Sequence, residues 1–243
     1  MLETPIVQPP PRGNKSPIPP RVVLVATGPD LKRLRQGLSS PDDRGERLYL
    51  SRIYRALEMP APWALVGPFM GAPQAAMLME TLSVWGVAQF LFLGWCGAIA
   101  PHVRTGDIVL PTGAFIDEGT SPGYDAQADK VLLPSEDFHQ VIKRALAARG
   151  LGFHEGLVWS TDAVFRETPS KLGAYQRRGG LAVEMEISAC LTVARRRGVS
   201  FAAVLVVSDE LSSLNWRPGF RDPRFKEACC AVSQTVEDLC RTS

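Results

Sequence analysis

Short apolar runs, several of them β-branched, alternate along the chain with longer segments whose apolar positions recur at helical spacing. Arg21 to Thr27 (RVVLVAT) reads as a buried strand that stops at the Gly28-Pro29 turn. Trp63 to Phe69 (WALVGPF) is a similar run, followed by MGAP and then QAAMLMETLSVWG, which has helical composition and length. QFLFLG (Gln89 to Gly94) is again a strand, and GDIVLPTGAFI (Gly106 to Ile116) contains another. EDFHQVIKRALAARG carries apolar Phe138, Val141, Ile142 and Leu146 before a Gly150 stop, as a helix should. GLVWST, LAVEM, a helical ISACLTVARRRG and the strand FAAVLVVSDE follow, and Asp222 to Cys240 closes the chain with a helix. Strands that are continuous apolar runs, alternating with helices, belong in a sheet covered on both faces. The pattern therefore predicts an α/β fold: a single-domain, three-layer α/β/α arrangement around a mixed, central twisted sheet. In such sheets ligands sit where strands end and loops begin.

Composition narrows the function. With 243 residues, 45% of them apolar, the chain can bury a substantial core. Lys plus Arg number 27 against 25 Asp plus Glu, a net +2 that gives little support to nucleic-acid binding. Five cysteines (Cys96, Cys190, Cys229, Cys230, Cys240) show no C-x-x-C spacing, so free thiols in a reducing compartment, and a cytoplasmic protein, are expected. The first twenty residues contain seven prolines and lack the apolar run of a secretory signal. They are expected to form an extended arm (1–20), loose or lying along the surface of its own domain or a partner, ahead of a domain over 21–243. Ala88 to Pro101, the longest apolar stretch, is broken by Gln89, Gly94 and Gly97 and is too short to span a bilayer.

Four strand-end clusters stand out: Gly28 to Arg35 (GPDLKRLR), Gly94 to Gly97 (GWCG), Val183 to Glu186 (VEME) and Ser208-Asp209 after VLVV. Each has a structural explanation when taken alone. Asp30, Glu184 and Glu186 lie near helix starts, where a carboxylate suits the dipole. GWCG makes a glycine turn with a packed Trp95 and Cys96, and Ser208-Asp209 suits an N-cap. His102, His139 and His154 lack metal-ligand spacing, so no metal is expected. No G-x-S-x-G elbow and no G-x-G-x-x-G after a strand is present. Arg195-Arg196-Arg197 ends a helix, where cations suit the dipole.

In this order and spacing the clusters look like something definite. Through FMGAP (Phe69 to Pro73), LGWCGAIAPHVRTGDIVLPTGA (Leu93 to Ala114), AVEMEISA (Ala182 to Ala189) and VVSDEL (Val206 to Leu211), the chain resembles the nucleoside phosphorylase family. That family includes purine nucleoside and uridine phosphorylases and, more distantly, the methylthioadenosine/adenosylhomocysteine nucleosidases. The resemblance implies a nucleoside phosphorylase-like fold and a pentosyltransferase. Such an enzyme cleaves the N-glycosidic bond of a ribonucleoside with phosphate, giving free base and ribose 1-phosphate. It implies no cofactor beyond inorganic phosphate as co-substrate, and a homo-oligomer, dimer or hexamer.

The implied roles fall on particular residues. Glu186 would accept hydrogen bonds from the ribose 2′,3′-diol, bonds that strengthen as positive charge builds on the sugar. Met185 would pack on the sugar, Glu184 would support the loop, and Met70, Gly94 and Trp95 would line the pocket. Asp209 would protonate or hydrogen-bond the departing base, with Ser208 orienting its loop. Val164 and Phe165 occupy the segment that supplies a stacking face, with Arg166 beside them and Asp162 matching a recurring aspartate. Arg217, in the following loop, would reach the base or the anion.

The phosphate site departs from the family's pattern. Family members carry an arginine two residues before the glycine of the G-x-C-G turn and a serine or threonine directly after it, where this chain has Phe92 and Trp95. The earlier Gly-Asp-Pro-x-Arg loop reads Gly28-Pro29-Asp30-Leu31-Lys32-Arg33. Gly28, Lys32 and Arg33 are the expected phosphate ligands, with Arg52 or Arg55 as the cation a neighbouring subunit donates. Two alternatives stay open. One is a nucleosidase using water, for which Asp30 is the one nearby carboxylate and Leu205 stands where an arginine is usual. The other is a non-catalytic nucleoside-binding protein. Asp209 favours a purine, and uridine is not set aside.

Overall fold

The computed structural model describes residues 5–37, 44–56, 62–125, 128–133 and 136–242. In chain order the elements are β1 (Arg21–Val25), α1 (Gly28–Gly37), β2 (Glu46–Leu48), β3 (Ser51–Ala56), β4 (Trp63–Gly67), α2 (Ala72–Val84) and β5 (Gln89–Ala98). They continue with β6 (Ile108–Asp117), β7 (Lys130–Leu132), α3 (Asp137–Ala148), β8 (His154–Thr161), α4 (Pro169–Arg177) and β9 (Gly180–Glu184). The chain ends with α5 (Ile187–Arg197), β10 (Ser200–Glu210), β11 (Arg217–Pro218) and α6 (Pro223–Thr242).

The expected three-layer arrangement is present, and β1 shows why it forms. Val22 and Leu24 enter one core, with Ala75, Leu78, Met79 and Leu82 of α2 and Cys190, Leu191 and Val193 of α5. Val23 and Val25 face the other, with Leu31 and Leu34 of α1, Ile142 and Leu146 of α3, and Val232 and Val236 of α6. A strand with two buried faces can be apolar at every position. Each such side chain contributes about 1.5–3 kcal/mol on burial.

The sheet does more than twist. β1 lies between β4 and β5, parallel to both, and β3 and β2 extend that edge antiparallel. β5 continues past β1 and pairs parallel with β10 along its length. β10 then meets β6, β6 meets β8, β8 meets β9, and β9 returns antiparallel to β5 at Gly97 and Ala98. Five strands thus close into a barrel beside the open half of the sheet. Closure removes edges, and it brings the ends of β5, β9 and β10 together.

The proline-rich arm lies along its own domain. Trp85 Nε1 donates to the Pro10 carbonyl at 2.8 Å, and the Arg12 guanidinium stacks 4.4 Å over the same indole. Arg12 also pairs with Glu46 at 2.7 Å, and Arg55 pairs with Glu46 while donating to the Pro17 carbonyl. Among the described residues, no helix is long and apolar enough to cross a membrane.

Candidate active site

The site is organised around Gly97 of β5. On one side Gly97 pairs with Asp209 of β10, and on the other with Val183 of β9, the residue before Glu184. A methyl group on Gly97 would stand 3.1 Å from Asp209 Oδ2 and 2.6 Å from Leu211 Cδ1, so the missing side chain makes room for the carboxylate. The register of β10 slips between Val207 and Asp209, which leaves Ser208 as the extra residue of a bulge. A bulge re-aims the side chain that follows it. Ser208 is buried, and its hydroxyl donates to Asp209 Oδ1 at 2.6 Å, with the Cys96 carbonyl 3.2 Å away. The other oxygen, Oδ2, accepts from Trp216 Nε1 at 2.8 Å.

Across Gly97, β9 ends at Glu184, and Glu186 precedes the first turn of α5. Glu184 Oε2 accepts from the backbone N–H groups of Glu186 (2.6 Å) and Ile187 (2.7 Å), capping the helix, while its other oxygen is bound by the Ser160 hydroxyl. Ser160 in turn accepts from Ser188 N at 2.9 Å, and Ser188 Oγ donates to buried Glu118. Glu184 is thus tied to the turn that carries Glu186. Glu186 Oε1 accepts from Gly71 N at 2.6 Å, beside exposed Met70 and half-buried Met185. Burial pushes both carboxyls above the usual range, and Glu186 adds to the effect on Glu184. Burial pushes the Cys96 thiol up as well, with Asp209 and Glu184 adding to it, which suits a packed thiol rather than a nucleophile.

Two residues before Gly97 on the same strand, Trp95 reaches the loop after β1. Its Nε1 donates to Asp30 Oδ2 at 2.7 Å; Thr27 Oγ1 donates to the same oxygen at 2.8 Å, and Arg33 Nη1 to Oδ1 at 2.5 Å. Arg33, expected as a phosphate ligand, is thus paired with Asp30. Phe92 lies buried under Gly94 and meets Phe69 edge-on at 5.8 Å, filling the place of the usual arginine with an aromatic ring.

The remaining expected residues are more scattered. Gly28 and Lys32 are exposed on α1. Arg52 is exposed on β3 with its guanidinium on the carbonyls of Arg44 and Gly45. Val164, Phe165 and Arg166 form a 3-10 turn, with the Phe165 ring 97% exposed at the surface. Arg217 is exposed on β11, opposite Glu210.

Sequence reasoning missed Glu167. Its carboxyl is pushed up to about 7, by burial first and then by the charge of Asp209, which places it on the Asp209 side of the site. The acidic residue one position beyond Arg166 was the available signal. Among the described residues no group of three or more His, Cys, Asp or Glu side chains could hold a metal.

A half-barrelled α/β sheet brings the ends of β9 and β10 to either side of one glycine of β5. The chain belongs to the phosphorylase superfamily, whose family model matches residues 20–239. It is 32% identical to a guanosine phosphorylase of Halorubrum lacusprofundi over 158 residues, 65% of each chain. It is 34% identical to a DeoD-type purine nucleoside phosphorylase of Bacillus cytotoxicus over 156 residues, 60% of this chain and 62% of that one. These matches span just under two thirds of the curated relatives' length. Among solved structures, the fold is similar to uridine phosphorylase from Vibrio fischeri ES114, with TM-score 0.76 and 22% identity over 93% of each chain. It is also similar to AMP nucleosidase from Bacteroides thetaiotaomicron, with TM-score 0.72 and 22% identity over 93% of this chain and 90% of that one.

Proposed function

We propose that the protein cleaves the N-glycosidic bond of a ribonucleoside, with purine nucleosides favoured, and passes the ribosyl group to phosphate. The observation that carries this reading is the flanking of Gly97 by the Asp209 strand on one side and the Glu184–Glu186 turn on the other. Bond cleavage builds positive charge on the sugar and sends electrons into the base. Glu186, buried and anchored to the Gly71 N–H, is suited to accept from the ribose diol as that charge grows. Asp209 is suited to the leaving base, whose N7 would exchange with Trp216 for the carboxyl. The curated relatives named as guanosine and purine nucleoside phosphorylases support phosphate as acceptor and a purine as base. The neighbour named uridine phosphorylase keeps uridine among the substrates to test. No cofactor is part of the reading, and cytoplasmic function as a homo-oligomer accompanies it; the five free cysteines accord with a reducing compartment.

Hydrolysis is the second reading. It is favoured by the Asp30 carboxylate, which takes the guanidinium of Arg33, a residue expected for phosphate. Product analysis with inosine, adenosine, uridine and methylthioadenosine, with and without phosphate, separates the two. Base release that phosphate accelerates, with ribose 1-phosphate among the products, is the expected result, whereas free ribose as the sole sugar product, at a rate phosphate does not change, marks a nucleosidase. Binding of nucleosides with no turnover of any would refute both.

A further inference from the structure

One residue expected to hold an acceptor anion, Arg33, is already paired with an anion that belongs to the chain. Asp30 is 2% exposed, and a carboxylate so buried persists only when fully partnered. Its partners come from three places: Thr27 at the end of β1, Arg33 one turn along α1, and Trp95 on β5. A hydroxyl, a ring N–H and a guanidinium converging on two oxygens is the donor set that a phosphate dianion also seeks. Trp95 makes this arrangement possible, because its indole spans from β5 to the first turn of α1, which a serine or threonine could not do. Phe92, Lys32 and Arg52, the other positions considered for the phosphate site, are not among these three partners. Phe92 is uncharged and buried, Lys32 is exposed, and Arg52 is engaged with backbone carbonyls.

We infer that Asp30 is an acceptor-specificity residue: its carboxylate is an internal rival of phosphate for Thr27, Trp95 and Arg33. Phosphate must displace Asp30 or bind beside a like charge, so it binds weakly, and water competes with it for the ribosyl group. Arg33 is the pivot, since its side chain is 31% exposed and stays solvated when its partner is removed. The inference rests on the nucleoside-cleavage reading for its meaning, but its first test needs no turnover.

The test is a calorimetric titration of inorganic phosphate, in phosphate-free buffer without nucleoside, into the full-length wild type and the Asp30→Asn, Asp30→Ser and Asp30→Asn/Arg33→Gln variants. Half-saturation of the wild type is expected above about 10 mM. Asp30→Asn should bind at least about tenfold more tightly, a difference of about 1.4 kcal/mol. Adding Arg33→Gln should cancel that gain. In turnover at fixed phosphate, the ratio of ribose 1-phosphate to ribose should rise by a similar factor in Asp30→Asn. Phosphate binding to the wild type as tight as to the Asp30 variants would overturn the inference. So would wild-type binding below about 1 mM, a result that needs no variant to fold. Failure of every form to release base from any nucleoside would remove the cleavage reading and leave the titration to decide the role of Asp30.

Discussion

Trp216 and Asp209 are joined by one hydrogen bond, 2.8 Å from the indole Nε1 to Oδ2, although Trp216 is 63% exposed. The bond ties the loop between β10 and β11 to the carboxylate that would meet the base. A base that takes Oδ2 must release the indole into a different environment. Addition of hypoxanthine is therefore expected to change tryptophan fluorescence in the wild type. Trp216→Phe should remove most of that change and alter KM more than kcat. An unchanged fluorescence response in the variant would show that Trp216 does not exchange with the base.

Asp209→Asn keeps the shape and the contact with Ser208 but removes the carboxyl proposed to serve the leaving base. Its kcat is expected to fall by roughly 10²- to 10⁴-fold, while a non-hydrolysable nucleoside analogue binds within a few-fold of wild type. Equal turnover in the two proteins would end the assignment of Asp209 as the acid.

Glu186 is the diol-facing group in this reading, and Gly71 N holds it in place. Glu186→Ala should reduce kcat/KM for ribosides far more than for 2′-deoxyribosides, which lack one hydroxyl partner. Turnover measured on matched inosine and 2′-deoxyinosine checks this. A variant with the wild-type preference intact would contradict the role.

Glu167 gives a pH signature. Burial and the neighbouring Asp209 push its carboxyl up to about 7. The folded protein therefore binds a proton that the unfolded chain has already lost, and folding stability declines as pH rises from about 4.5 to 7. The Glu184–Glu186 pair, also raised, leans the same way. Thermal unfolding across pH 5 to 8 should show a shallower decline in Glu167→Gln than in wild type, with the variant the more stable above pH 7. Parallel curves would show that the carboxyl is not perturbed.

The arm is fastened mainly through Glu46. Burial works against its charge, but hydrogen bonds from Arg12 and Arg55 hold its carboxyl down to about 2. Its stabilising effect is fully present above the unfolded value of 4.5 and is lost progressively as pH falls from there through about 2. Glu46→Gln or Arg12→Ala should leave the arm open to limited proteolysis before Pro20 at neutral pH, with the domain itself intact. Cleavage at the wild-type rate would place the fastening elsewhere.

The strands that form the spine of the sheet were legible because their burial is two-sided: Val22 to Val25, Phe90 to Leu93 and Phe201 to Val207 are continuous apolar runs. The β2–β3 hairpin was not, since Arg47, Arg52 and Arg55 break any apolar alternation, and Arg52 and Arg55 bond the Arg44 turn and the arm. The helix over Pro169–Arg177 was also missed, although Thr168 accepts from Lys171 N as an N-cap should. Barrel closure is invisible to periodicity, which says which face a residue takes and not which strand lies beside it. The same limit applies within the site. Asp30 was legible as a helix-start carboxylate, but its capture by Trp95 joins residues 65 apart in the chain. Glu167 became a candidate only through its proximity to Asp209.

Gly97 is hydrogen-bonded to a strand on each side, and that double pairing acts as a fixed gauge. Neighbouring strands lie about 4.8 Å apart, so the backbone positions of Asp209 and the β9 end are separated by about two such steps. The gauge is made of main-chain bonds, which substitutions in the surrounding loops do not alter. On the proposed reading, a lineage could therefore exchange one base for another by rewriting residues 162–168 and 211–220 while the gap between the two carboxylate-bearing strand ends stays constant.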